Sequence, residues 1–167
     1  MDDFSKTILR ELIPAERELP APRRTQRDAA VDALDHLASP ILLERAAYLR
    51  KLAKLGDGSA SEVLREYAQH AIHLLVRSRS GGAELHEKFA DVFFVLEGRA
   101  ALVTGGTIAK AKVIGSGEIR GDSVDGGALQ ELRAGDVAHV PAGLPHQMVV
   151  AGDKSITCLV LKIQQVD

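Results

Sequence analysis

A single cysteine, Cys158, stands among the 167 residues of the chain. One thiol cannot close a disulfide within its own chain. This one lies in the apolar run Ile156-Thr157-Cys158-Leu159-Val160-Leu161 and reads as a buried, inert side chain. Long hydrophobic runs are also missing: no stretch approaches the ~20 apolar residues that a membrane-crossing helix needs. Neither sign of charge is in excess, since 21 Lys and Arg against 23 Asp and Glu leave a net charge of -2. Such a chain has no overall field to draw it to nucleic acid or to an anionic membrane, and neither is expected as a partner. The stretch Met1-Asp2-Asp3-Phe4-Ser5-Lys6 lacks a basic opening followed by an apolar run. A secretory leader is therefore not expected, and a cytoplasmic location is.

What is present is enough for one core with an extension: 46% of residues are hydrophobic and 26% charged. Residues 1–24 read as a flexible arm, because Pro14, Pro20 and Pro22 break regular structure after one short amphipathic stretch. Arg23, Arg24 and Arg27 are flanked by Glu16, Glu18 and Asp28 without interleaved aromatics, so they read as solvated linker. Residues 25–57 read as a helical hairpin. Thr25 caps a helix near 26–38 carrying Ala30, Val31, Leu34, Leu37 and Ala38. Ser39-Pro40 caps and opens a second helix near 41–55 with the stripe Leu42, Ala46, Leu49, Leu52 and Ala53, and Gly56 stops it. Residues 58–167 read as a β-barrel domain. Ser59 and Glu62 have capping-box spacing, which predicts a helical turn through Tyr67.

From His70 the pattern alternates with period two, which predicts a strand on which His70 and His73 face opposite ways. Gly81-Gly82 makes a turn into a strand with Glu84 and His86. Residues 105–130 are rich in glycine turns, and Arg120-Gly121-Asp122 reads as one of them. Further strands are predicted over 91–96, 136–140, 146–150 and 155–163, so the barrel core spans 70–163.

Four side chains carry the chemistry. Glu84 and His86 are two apart on one strand and share a face. Asp91 shares the next strand's face with Phe93 and Val95, and His146 follows a Pro-Ala-Gly-Leu-Pro turn and shares a face with Met148 and Val150. If these faces line one barrel, two imidazoles and two carboxylates converge among apolar walls. Such a set suits a divalent transition metal (Zn, Fe, Mn or Ni) with coordination positions left open. His139 precedes Pro141 on a strand whose orientation the pattern leaves open.

The spacing resembles the two motifs of the cupin superfamily. The first motif has two histidines separated by one residue, then an acid, then a glycine. Glu84, His86, Asp91 and Gly98 occupy those places, with glutamate standing for the first histidine. The second motif is matched throughout by Gly135, Pro141, Gly143 and His146. The resemblance implies a mainly β fold, a cupin-type double-stranded β-helix (jelly-roll) barrel, here with an N-terminal helical extension. It also implies one metal held by Glu84, His86, Asp91 and His146 and a small-molecule ligand inside the barrel. Two functions compete on these residues: a metal-dependent oxygenase or isomerase, and a non-catalytic binding or sensor module. A homodimer is expected, because two helical stripes exceed what a small barrel's exterior buries and cupins commonly pair through their sheets.

Overall fold

Strand periodicity needs partners, and the computed structural model, which describes residues 36–165, supplies most of them in two sheets that share one long strand, beside one separate two-stranded ladder. Helix α1 (Ser39–Leu55) comes first. It is followed by β1 (Ser59–Glu66), β2 (His70–Arg77), β3 (Ala83–His86), β4 (Phe89–Thr104), β5 (Thr107–Ile108) and β6 (Lys112–Gly115). The remainder are β7 (Glu118–Gly121), β8 (Val124–Asp125), β9 (Ala128–Arg133), β10 (Val137–Val140), β11 (His146–Val149) and β12 (Ile156–Gln164). The front half of β4 pairs with β12 and β10, and β12 pairs in turn with β2, which pairs with β1. The back half of β4 pairs with β9 and β11, and the ladder continues through β3 and β7 to β6. All these pairings are antiparallel, as expected where hairpin-like connections fold a sheet over itself.

The handover occurs at Gly98. Its φ of +79° lies in the left-handed region, and a Cβ there would run into the carbonyl of Ser155. Only glycine serves at such a place. Between the two sheets lies the main core, with Phe93, Val95, Leu102, Met148, Ile156, Cys158 and Val160 all buried.

Helix α1 covers the outer face of β1 and β2. Its Leu42, Ala46, Leu49 and Ala53 form a second core with Leu64, Leu74 and Val76. The stripe of this helix is thus buried within the chain, while the stripe expected near 26–38 lies outside the described residues except for 36–38. Arg45 of α1 pairs with Glu62 of β1, its Nε donating at 2.8 Å, and Arg50 pairs with Glu97. Gly56 ends the helix by donating its backbone N–H to the Leu52 carbonyl at 3.0 Å. At the other end Ala38, not Ser39, is the N-cap, with no side-chain cap bond and Pro40 in the first turn.

One expectation changes, and one is left outside the described residues. The helical turn through Tyr67 is instead β1, joined to β2 over Ser59↔Arg77 to Glu66↔Ala71. The capping-box spacing is a purely local signal. Here ladder bonds and the burial of Leu64 beneath α1 outweigh it. The helix expected near 26–38 falls outside the described residues except for 36–38, which are not helical.

Candidate metal centre

β2 carries two loads because it is covered on both faces. Leu74 and Val76 point to α1, while His73, Leu75 and Arg77 point into a cavity of ≈ 170 Å³ between the sheets. Glu84, Asp91, Phe93, His146, Met148, Val160 and Lys162 complete its wall, with Ser59 and Ser61 of β1.

The polar residues come in cross-strand pairs. Glu84 lies opposite Arg120 and His86 opposite Glu118 on β3 and β7. His146 lies opposite Glu84, and Asp91 lies opposite Lys162 of β12. Neighbours across a ladder are within side-chain reach, so register alone assembles the cluster. Glu84, His86 and His146 each present a donor atom, all within 4.8 Å of one another. His86 Nε2 is 3.5 Å from Glu84 Oε2 and 3.4 Å from Asp91 Oδ2, and His146 Nε2 is 3.7 Å from the same Asp91 oxygen.

Each imidazole is oriented by its other nitrogen. His86 Nδ1 donates to the Glu118 carboxylate at 2.7 Å, and His146 Nδ1 donates to the Leu144 carbonyl at 3.2 Å. Both Nε2 atoms therefore face the cluster of Glu84 and Asp91, and His146 also lines the cavity. Such outer partners fix the tautomer of a metal-binding histidine. His146 is 4% exposed, and its Nε2 is buried with no hydrogen-bond partner. An orphaned imidazole lone pair aimed at a second imidazole and a carboxylate fits a cation.

Asp91 stands apart from the other three. Lys162 Nζ donates to both its oxygens, at 2.8 and 3.0 Å, and lies 3.1 Å from His86 Nε2. The electrostatics follow from this crowding. Burial by itself would raise the Glu84 carboxyl, but His86, then Arg120, His146 and Arg77 overcome it and hold it at about 2. Burial likewise works against the His86 cation, but Asp91 and Glu84 raise that group to about 9. Asp91 is lowered, with His86 and Lys162 outweighing burial. His146 goes the other way, lowered chiefly by burial.

The other histidines are now placed. His73 lines the cavity and is lowered by burial and by Lys162. His70 is exposed and stacks on Tyr67 at 4.4 Å between ring centres. His139 is exposed on β10. Reasoning on the sequence missed Arg77, Glu118, Arg120 and Lys162. Two of them extend visible alternations, His73-Leu75-Arg77 and Cys158-Val160-Lys162, so a charged residue on an inward face was the available signal. Glu118 and Arg120 lay in a stretch read as turns, whereas they stand on β7.

A family model described as Cupin domain matches residues 72–162. No curated protein matches the chain. Among solved structures, the protein TT1209 from Thermus thermophilus is 19% identical with a TM-score of 0.51, over 74% of this chain and 95% of that one. The polyketide cyclase RemF from Streptomyces resistomycificus is 19% identical with a TM-score of 0.48, over 65% and 68% of the two chains. A predicted oxalate decarboxylase from Thermotoga maritima is 15% identical with a TM-score of 0.48, over 64% and 81%. At these identities the likeness is one of fold.

Proposed function

The chain belongs to the cupin family, and from that premise we propose that its barrel holds a divalent transition metal and binds or transforms a small molecule beside it. The observation that carries this is the buried, unpartnered Nε2 of His146, which faces His86 and Glu84. His86, His146 and Glu84 are the proposed inner ligands. Asp91 completes the set if Lys162 releases it. Zn, Fe, Mn and Ni all accept such nitrogen and oxygen donors. A metal bound there supplies Lewis acidity or an open coordination position, which an oxygenase or isomerase would use. The chain's own residues do the rest. Glu118 and the Leu144 carbonyl orient the imidazoles, and Phe93, Met148 and Val160 supply the apolar part of the cavity wall.

The test is metal content and circular dichroism of untagged protein, for the wild type and for His86→Ala, His146→Ala and Glu84→Gln. We expect both alanine variants to lose the metal and keep the barrel, because the two cores consist of apolar residues. Glu84→Gln should lose less affinity than either. Full metal occupancy in His146→Ala would exclude the site.

We further propose a cytoplasmic homodimer. Among the described residues no helix is long and apolar enough to cross a membrane. Phe94 and Val137 are cross-strand neighbours, exposed by 38% and 59%, and offer an apolar patch on the outer face of the front sheet. Sedimentation that finds only monomer at high concentration would remove the dimer.

A further inference from the structure

The acidic and permanently basic side chains that line the cavity are equal in number before any metal enters it. Its wall contains two carboxylates, Glu84 and Asp91, and two permanent cations, Arg77 and Lys162. Each acid already has partners. Asp91 accepts from Lys162, and Glu84 Oε1 lies 3.3 Å from Arg77 Nη2 while its other oxygen lies 3.4 Å from Arg120 Nη1. A divalent ion on the two imidazoles adds net positive charge in a confined space. No further carboxylate lines the cavity to meet it. A buried uncompensated charge is unfavourable, so a counter-anion from outside is required.

Arg77 gives a second and independent indication. Its Nε is buried and has no hydrogen-bond partner. Its guanidinium rests on Gly81, where a Cβ would collide with it, so the chain keeps room for this group at that point. A guanidinium presents its donors as a planar fork, which suits the two oxygens of a carboxylate. The Glu84 carboxylate spans the distance from Arg77 to His86, so Arg77 stands one carboxylate's width from the imidazoles.

We propose that the cavity takes a small organic monocarboxylate, its carboxylate on the Arg77 guanidinium and its body against Leu75, Phe93, Met148 and Val160. The charge argument rests on the metal reading above; the Arg77 argument does not. A volume of ≈ 170 Å³ is well below the roughly 300–1,000 Å³ of pockets for drug-sized ligands, which suits a small acid. Ser59 and Ser61 offer hydroxyls to a polar substituent of the acid.

The experiment is calorimetric titration of butanoate, lactate, butanamide and inorganic phosphate into protein of measured metal content. It is repeated with Arg77→Gln, Arg77→Lys and Gly81→Ala. The acids should bind at least tenfold more tightly than the amide or phosphate. Arg77→Gln should weaken them at least tenfold at unchanged metal content, and Arg77→Lys should recover part of the loss. Gly81→Ala displaces the guanidinium without removing its charge, touches neither core, and should weaken the acids as well. Equal binding of butanoate and butanamide to the metal-loaded wild type overturns the inference. So does full acid binding by folded Arg77→Gln. Acids that bind in an Arg77-dependent way to protein without metal uphold the carboxylate site and overturn the metal reading alone.

Discussion

The two imidazoles of the centre are 5.4 Å apart between ring centres, yet their surroundings push them in opposite directions. His86 lies against two carboxylates and holds its proton to about 9, while His146 loses its proton more readily than usual because it is buried. In metal-free protein the raised His86 value stabilises the fold, fully so below its ordinary 6.5, and this contribution disappears as pH rises through about 9. The stability gap between wild type and His86→Asn, measured by urea in the presence of a chelator, should therefore narrow between about pH 6 and about pH 10. A gap that widens would contradict the assignment. Cys158 gives a second test. Burial in the main core pushes its thiol up to about 12. A thiol reagent at about pH 8 should label the native protein negligibly and the urea-unfolded chain stoichiometrically. The inertness of this thiol was legible from its apolar run, and Glu84, His86 and His146 were legible from spacing. The pairing of Lys162 with Asp91 was not, because the two are 71 residues apart along the chain and only the β4–β12 register joins them.

Among the elements, β4 and α1 set the cost of substitution. Gly98→Ala puts a methyl group against the Ser155 carbonyl at a φ of +79°. The expected loss is about 1–3 kcal/mol, read as a lower urea midpoint with the circular dichroism of the folded state retained. Leu49→Ala empties a position only 4% exposed between α1 and β2, and should cost about 2–5 kcal/mol by the same measure. Element type was readable wherever one face is clearly apolar. The helix at Ser39–Leu55 and the strands around Glu84, Asp91 and His146 were found for that reason. β1 was misread because it lies at a sheet edge with Val63 exposed and a bulge between Val63 and Arg65, which blurs its alternation. The glycine-rich stretch between β4 and β9 hid β7 for a similar reason. Its four half-buried residues take their meaning from β3, not from their own pattern.

At the scale of the whole molecule, the order of strands in space departs from their order along the chain. β12 is the last described strand in sequence, yet it lies in the middle of the front sheet between β2 and β4. It also brings Val160 and Lys162 to the cavity. A ribosome therefore delivers β1 to β11 before the strand that joins β2 to β4 exists. Until Ile156–Gln164 has emerged, both neighbours expose unpaired edges and the apolar residues behind them. The barrel accordingly folds after synthesis of its last strand and not progressively from the N-terminal side. A chain cut before Ile156 should be unfolded by circular dichroism and prone to aggregate. A separate peptide covering 156–164 should restore the β signal when mixed with freshly diluted fragment.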